Sequence, residues 1–326
     1  MASMRGKFRR TKRLLFYAAV RLFGVLATIL PRRAALAAFA GIGCVVRSVD
    51  RAAVRRSRAH LAKALAREIP PAARERILRE MFPAFGRNLV DLLGSRPLGA
   101  GDLQVDGVEH LERAVRRGRG VVALSGHLGN WEVLGAAVAA RGVPLHVLAA
   151  RLFDRRSDRL LTEWRSARGI RVHDRSEGLG PFLAALRRGE IVGALADQDA
   201  PGRAMFVDFF RQPARTPVAP FVLAVRTRAA IVPLFIHLDG DGRHRIVVRP
   251  EIVPDGRLRG PARLRDLVSR WHAVLEAEIR AHPEQWVWFH RRWKSAPSPL
   301  ADFREFSKEP AYLATFQGSR RRVFAR

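Results

Sequence analysis

A histidine and a glutamate, His127 and Glu132, close the run Val121-Val122-Ala123-Leu124-Ser125-Gly126-His127-Leu128-Gly129-Asn130-Trp131-Glu132 and form the strongest candidate acid–base pair in the chain. A carboxylate bonded to one ring nitrogen fixes the imidazole tautomer and leaves the other nitrogen to take a proton from a hydroxyl. Were the whole stretch from His127 to Glu132 helical, at roughly 100° per residue the two side chains would point apart. His127 is therefore expected in a turn, with the first turn of a following helix bringing Glu132 back toward the ring. Gly126 and Gly129 supply the backbone freedom that such a turn needs. Backbone N–H groups at the helix start are candidates to stabilise an oxyanion or to hold a phosphate. His-x4-Glu spacing alone is weak, because a histidine near a glutamate is often a surface accident. Ser125 lacks the Gly-x-Ser-x-Gly elbow of a hydrolase nucleophile.

The elements that must position this pair are legible around it. Val121–Leu124 is short, apolar, β-branched at its start and bounded by Gly118, Gly120 and Gly126, the pattern of an interior parallel strand. From Asn130, a candidate N-cap, Trp131, Val133, Leu134, Ala137 and Val138 fall at helical spacing. Further along, short apolar strands at 145–149, 170–173, 191–196, 230–236 and 245–249 alternate with helices near 131–141, 155–168, 179–188 and 217–228, followed by a helix over Leu258–Ala281. The expected fold class is α/β, with a largely parallel central sheet flanked by helices. Ligands on such sheets collect at the carboxyl ends of strands. His127, Arg151 and Asp197 each follow a strand, so they are expected to converge on one edge.

Arg151 offers paired guanidinium donors for an acceptor phosphate or a thioester oxyanion. Asp197 and Asp199 flank Gln198, where they could bond a sugar or brace neighbouring arginines. No further metal-ligating residues cluster around them in sequence, which argues against a metal site. Read as a helix, Trp286–Lys294 puts Trp286, Phe289 and Trp293 on one face and Arg291, Arg292 and Lys294 elsewhere. Aromatic and basic groups together suit a membrane–water boundary and a phosphorylated lipid, and equally a helix sealing the sheet. The histidines other than His127 have no carboxylate in a comparable turn and read as structural or exposed.

Residues 50–97 read as two helices broken at Pro70-Pro71, with Met81 and Phe85 as core residues or as the wall of an acyl groove. They divide the chain into a basic amino end with membrane-associated helices (1–46), a helical layer (47–100), an α/β core (101–296) and a basic tail (297–326). Near the amino end, the cluster Arg5, Lys7, Arg9, Arg10, Lys12 and Arg13 precedes an apolar run, Leu14–Leu30, broken by Arg21. A spanning helix wants about 20 apolar residues, and a central arginine costs roughly 2.5–3.5 kcal/mol on insertion scales. The run therefore suits a helix lying in the bilayer interface, anchored by cationic flanks. A cleaved signal peptide and a helix pair packed on the core are the alternatives.

The net charge is +29, and all but five of the 59 basic residues are arginine. Nucleic acid, an anionic membrane or an acidic protein could each answer such a charge. No zinc-ligand array, reading helix or basic–aromatic interleaving points to nucleic acid. One cysteine, Cys44, excludes an intramolecular disulfide.

The segment Gly126–Glu132 is similar to the His-x4-Asp/Glu block of the lipid A biosynthesis acyltransferases, lauroyl- and myristoyl-transferase-like members of the glycerolipid acyltransferase superfamily. Other blocks resemble the family's in the same order: Val105-Asp106-Gly107-Val108-Glu109-His110-Leu111, Arg151, Ile191–Asp199 ending in Asp-Gln-Asp, Phe206–Phe210, Pro213–Thr216, Ile231–Pro233 and Trp286–Lys294. The resemblance covers about residues 14–295. It departs at Arg211, where the family usually has glycine.

The resemblance implies a metal-free and cofactor-free transfer of an acyl group from an acyl carrier protein or coenzyme A thioester to a hydroxyl of a lipid A precursor. The reaction would take place at the inner face of the cytoplasmic membrane. His127 would be the general base, oriented by Glu132, and Gly129, Asn130, Arg151, Asp197, Gln198, Asp199, Arg291 and Arg292 would contact substrate. The same chemistry on a glycosylated phospholipid or an aminolipid stays open. A non-enzymatic basic protein that binds membrane or nucleic acid is the more distant alternative.

Overall fold

The computed structural model describes residues 4–94, 99–199 and 202–297. The basic tail beyond Pro297 lies outside them. Four helices open the chain: α1 (Met4–Ile29), α2 (Arg32–Val49), α3 (Arg51–Leu65) and α4 (Pro71–Leu93). The break expected at the proline pair is the start of α4, where Pro71 fits the first helical turn because its missing N–H would be unpaired there anyway. Where α2 crosses α4, Gly43 faces the carbonyl of Phe82 and Gly86 that of Phe39, so closely that a Cβ on either glycine would overlap the oxygen. Arg32 then clamps α2 to α4 through Asp91, which also takes a hydrogen bond from His244 at 2.8 Å.

The sheet begins with β1 (Leu103–Asp106), which is followed by α5 (Val108–Arg116). Next come β2 (Val121–Ser125), α6 (Trp131–Ala139), β3 (Leu145–Leu148), α7 (Arg155–Ser166), β4 (Ile170–His173), α8 (Gly180–Arg187) and β5 (Ile191–Leu195). A hairpin of β6 (Ala204–Phe209) and β7 (Gln212–Pro217) intervenes before α9 (Ala219–Thr227), β8 (Ala230–Leu238), β9 (His244–Val248) and α10 (Gly260–Ala281). The seven-stranded order is β1-β9-β8-β2-β5-β3-β4, parallel throughout except for the β8–β9 pair. The α/β class with a mostly parallel sheet is thus what the chain adopts. Three elements escaped the sequence pattern: β1, too short to show a period, the nine-residue α5 that follows it, and the β6–β7 hairpin, whose second strand carries two prolines.

Central strand β2 is buried along its whole length. Val122 and Leu124 enter the apolar cluster containing residues of α8, α9 and α10, whereas Val121 and Ala123 enter the opposite cluster with residues of α5 and α6. That two-residue alternation is what a strand covered on both faces requires.

Among the described residues no helix is long and apolar enough to cross a membrane. The amino-terminal pair combines features of two expectations. Phe23, Leu26 and Ala27 of α1 and Ala35, Leu36 and Phe39 of α2 pack inward with Val90 of α4. The outer faces leave Leu14, Leu15, Phe16, Leu22, Val25, Ile29, Val45, Val46 and Val49 exposed.

The departure at Arg211 has a local consequence. Phe210 (φ 50°) and Arg211 (φ 58°) both hold left-handed backbone in the two-residue turn of the β6–β7 hairpin. Such turns demand φ > 0 at both central positions and favour glycine there. Phe210 is compensated, because its ring is buried and its N–H reaches Glu276 at 2.6 Å, while Arg211 is exposed. Arg211→Gly is expected to raise the unfolding free energy by about 1 kcal/mol, measured by urea denaturation; an unchanged or lower midpoint would contradict the strain.

Candidate functional site

The register of two neighbouring strands sets the geometry of the site. β2 and β5 run parallel with Ser125 opposite Leu195. Two residues beyond each strand end, at the same edge of the sheet, come His127 and Asp197. Asp197 Oδ1 lies 2.7 Å from His127 Nδ1, and Oδ2 accepts the His127 backbone N–H at 2.7 Å and Trp286 Nε1–H at 2.9 Å. The Asp197 side chain is completely buried, and that of His127 is 15% exposed. Burial alone would push the Asp197 carboxyl up; the adjacent His127 ring and the three N–H donors outweigh it and hold the group well below the usual carboxylate range. As an anion, Asp197 accepts the Nδ1 proton, which leaves Nε2 of a neutral His127 with a lone pair.

Glu132 does not hold His127. The expected helix start is present, with Asn130 capping α6 by accepting the Val133 N–H at 3.2 Å, but the carboxylate of Glu132 turns to Arg165 of α7 and receives both Nε (2.8 Å) and Nη2. Both partners are largely buried. A carboxylate from the neighbouring strand therefore does what the local spacing assigned to Glu132. Each of the two residues stands six positions after the start of its strand, Val121 for His127 and Ile191 for Asp197. That parity is the signal that, combined with β2–β5 adjacency, could have found the pair.

The turn at 127–129 is fixed from outside. Gly129 (φ 57°) passes so close to the carbonyl oxygen of Ile236 that a Cβ would collide with it, and its N–H donates to Gln285 O at 3.0 Å. Val287 N donates to His127 O at 3.1 Å, and Leu128 pairs with Trp286 as an antiparallel bridge. The amides of His127, Leu128, Gly129 and Val133 are thus engaged within the fold, so the anion-binding role expected of the turn cannot fall to those four.

These contacts also overturn the helical reading of Trp286–Lys294. Trp286 is extended (φ −85°, ψ 142°) to make the bridge, and turns follow it. Trp286, Trp288 and Arg292 are fully buried rather than divided between two faces. Arg292 donates to Arg215 O at 2.6 Å and Thr216 Oγ1 at 2.7 Å, and burial pushes its pKa down to about 10. It is sealed in the core and not available to a lipid phosphate, whereas Arg291 is exposed.

Of the other candidates, Asp199 accepts from Arg215 at 3.3 Å and from Ser295 N at 2.8 Å, bracing an arginine. Arg151 follows β3 as expected, but its side chain is 75% exposed and its Nε donates to Asp174 at 2.8 Å. The structure does not join it to the His127 cluster. Among the described residues, no group of three or more His, Cys, Asp or Glu side chains could hold a metal ion.

Gln198 and His290, which no linear pattern singles out, complete the cluster. The His290 ring lies 4.7 Å from that of His127, and the Trp131 ring lies 4.8 Å from it on an edge-to-face contact. Gln198 Nε2 stands 3.0 Å from His127 Nε2 and 2.7 Å from His290 Nδ1. Burial, then the neighbouring His127, push the His290 pKa down to about 4. Other histidines brace the fold: His146 bonds Glu190, and His272 sits between Asp208 O and Arg292.

A family model described as bacterial lipid A biosynthesis acyltransferase matches residues 1–295. The chain belongs to this acyltransferase family. Similar proteins include a phosphatidylinositol mannoside acyltransferase of Mycobacterium tuberculosis (strain CDC 1551 / Oshkosh), 28% identical over 211 residues, which are 63% of this chain and 62% of that protein. The lipid A biosynthesis acyltransferase 2 of Shigella flexneri is 30% identical over 60% of this chain and 62% of its own length. The lipid A biosynthesis myristoyltransferase of Escherichia coli (strain K12) is 28% identical over 69% of this chain and 70% of its own. The match to the mycobacterial relative thus spans just under two thirds of that protein's length.

Glu132→Gln tests the division of labour between the two carboxylates. Leaving Arg165 half-paired in a largely buried site is expected to lower stability by about 3 kcal/mol, read by denaturant unfolding, and Arg165→Met in the same background should recover part of the loss. Asp197→Asn should instead shift the His127 ring resonances. The assignment fails if Glu132→Gln moves those resonances and Asp197→Asn does not.

Proposed function

We propose that this chain transfers a fatty acyl group from an acyl thioester to a hydroxyl of a membrane glycolipid, with His127 as general base. The observation that carries the reading is the Nδ1–Asp197 contact of 2.7 Å, which leaves a basic Nε2 on a ring that is not fully buried. Nε2 takes the hydroxyl proton as the oxygen attacks the thioester carbonyl. The tetrahedral intermediate collapses, the C–S bond breaks, and the departing thiolate recovers the proton from Nε2. Asp197 stabilises the transient imidazolium and keeps the ring oriented. Glu132 acts on the frame: by bonding Arg165 it ties the first turn of α6 to α7 directly behind the histidine turn.

The donor is an acyl carrier protein or coenzyme A thioester, and an acidic carrier suits a chain of net charge +29. A lipid A precursor is the acceptor supported by the family match. A glycosylated phospholipid is supported by the mycobacterial relatives, whose name refers to phosphatidylinositol mannoside. Both acceptors are sugar-bearing lipids that would approach from a bilayer. The exposed apolar faces of α1 and α2 suit docking at the cytoplasmic face of the membrane. Beside them Lys12 and Arg13 lie over the Phe153 ring, and Arg156 lies over Tyr17. The segment after β3 is thereby drawn to the same surface, with Leu152 and Phe153 exposed.

His127→Ala is expected to lower acyl transfer by about 10²-fold or more, followed by mass spectrometry of lipids from cells with and without the variant. Loss of one acyl chain from lipid A would favour the first acceptor, and a changed glycosylated phospholipid the second. Full activity in the variant would remove the base assignment.

Membrane docking has its own test. Leu15→Asp with Leu22→Asp should weaken cosedimentation with anionic vesicles at least about tenfold, given roughly 1.5–3 kcal/mol for each buried leucine, and His127→Ala should leave it intact. Undiminished binding by the double variant would place the contact elsewhere.

A further inference from the structure

At the β3–β4 edge of the sheet, outside the His127 cluster, four titratable side chains stand in one row. His146 Nε2 lies 2.9 Å from Glu190 Oε2, His146 Nδ1 lies 2.9 Å from His173 Nε2, and His173 Nδ1 lies 3.2 Å from Glu177 Oε2. The two imidazole planes are within 10° of parallel, and their centroids are 5.2 Å apart. The drop from 5.2 Å between centroids to 2.9 Å between nitrogens uses up both ring radii, so both nitrogens lie on the line joining the centroids. The rings therefore meet edge to edge in a common plane, with nitrogen facing nitrogen as a hydrogen bond requires.

Three contacts in this row each need one proton, because a carboxylate oxygen and a bare ring nitrogen only accept. Both carboxylates are anionic. Arg188 at 2.6 Å holds Glu190 below the usual carboxylate range, and the Asp174 N–H at 2.7 Å does the same for Glu177. Two neutral imidazoles carry two ring protons between them, so each neutral arrangement leaves one contact with lone pairs on both sides. A third proton satisfies all three. It falls to His173 rather than His146, whose side chain is buried and whose pKa burial pushes down. His173 then donates through Nε2 to a neutral His146 and through Nδ1 to Glu177.

We propose that this row is a proton-operated latch on the turn that holds Arg151: a third ring proton on His173 closes it, and loss of that proton as the pH rises opens it at Glu177. The Glu177 contact is the longest of the three, and its carboxylate is the more exposed of the two. Oε1 of the same carboxylate accepts the Asp174 N–H and closes the single turn Arg175–Glu177. Asp174 in turn places one oxygen on Ser176 N–H at 2.9 Å and the other on Arg151 Nε at 2.8 Å. Departure of Glu177 thus loosens the turn from which Asp174 holds the Arg151 guanidinium. Arg151 lies on the segment whose Phe153 ring carries Lys12 and Arg13 of α1, so the latch acts on the surface assigned to the bilayer. It goes beyond the acyl-transfer reading and is independent of His127 acting as base.

The groups facing the two rings come from every neighbouring element. Glu190 and Arg188 belong to the α8–β5 connection, Arg171 to β4, Asp174 and Glu177 to the turn, and Phe182 of α8 meets the His173 ring edge-on at 5.1 Å. Arg188 and Arg171 both pair with Glu190, which leaves Glu177 as the carboxylate in contact with His173. The stabilisation supplied by the imidazolium is complete below the titration of the pair and is lost as the pH rises through it.

Ring ¹⁵N NMR of the intact chain, recorded across the pH range in which it stays folded, reads the latch directly. At the low end His146 and His173 should show three protonated nitrogens between them, and at the high end two. Over the same interval the amide protection factors of Asp174–Glu177, corrected for the intrinsic rise of exchange with pH, should fall about tenfold, the size of one lost charge-assisted hydrogen bond. Two protonated nitrogens at every pH, or protection that ignores the loss of the third, overturns the proposal. Glu177→Gln separates a latch from a simple brace. The amide oxygen can still accept the Asp174 N–H, while the amide nitrogen can donate to Nδ1 of a neutral His173, so two ring protons now satisfy the row. This variant should show two protonated nitrogens throughout and keep its turn protected at the pH where that of the unaltered protein has opened. A turn that opens with pH in Glu177→Gln as it does in the unaltered chain equally overturns the latch.

Discussion

The contact between Asp197 and His127 is the constraint on which the site depends, and it is a property of the sheet rather than of either segment. Two parallel strands in register deliver their next residues to the same edge, and the β2–β5 pairing makes those residues a carboxylate and an imidazole. β2 is buried along its length and β5 at Ile191 and Val192, so their register is held by the core; a slip by one residue would turn each inward side chain to the other face. The connections out of β2 and β5 also depart in opposite directions. β2 leads through α6 to β3 on one side, and β5 leads through the hairpin and α9 to β8 on the other. A crevice at such a crossing is where doubly wound sheets hold their ligands.

A buried anion needs compensation, and the carboxyl-terminal segment provides much of it. Trp286 donates to Asp197 while its backbone closes on the histidine turn, so the same few residues satisfy the charge and fix the ring that uses it. Arg292, buried nearby with its donors on Arg215 O and Thr216 Oγ1, adds a positive charge that favours the ionised forms of Asp197 and Asp199. Phe209 contacts Trp286 and Trp293 edge-on or tilted, which carries the packing into the β6–β7 hairpin. The strained turn at Phe210 and Arg211 therefore sits at the far end of a wall whose near end holds the carboxylate.

Glu132 illustrates a different economy. A short sequence spacing that suggests direct contact with the histidine instead anchors a helix start to a neighbouring helix through a bidentate arginine. The two carboxylates near the turn have different partners: Asp197 bonds the ring, and Glu132 bonds Arg165. The amino-terminal helices extend the same frame outward. One face packs on α4, and the other offers apolar side chains bordered by cation–aromatic pairs.

Much of this protein was settled by local pattern. The all-apolar run at 121–125, the Asn130 cap, the alternation of short strands with amphipathic helices and the proline pair at 70–71 each state an element through periodicity or backbone chemistry. His127 was legible as a candidate because glycines surround it at a strand end. The family blocks were legible too, since they are linear. What no local pattern could state was which strands lie side by side. That depends on burying both faces of the sheet at once, and it alone decided that Asp197 rather than Glu132 meets the ring. Trp286–Lys294 departs from the helical expectation for the same reason: its aromatic spacing fits a helical face, but its backbone pairs with the histidine turn, which only the folded chain brings within reach.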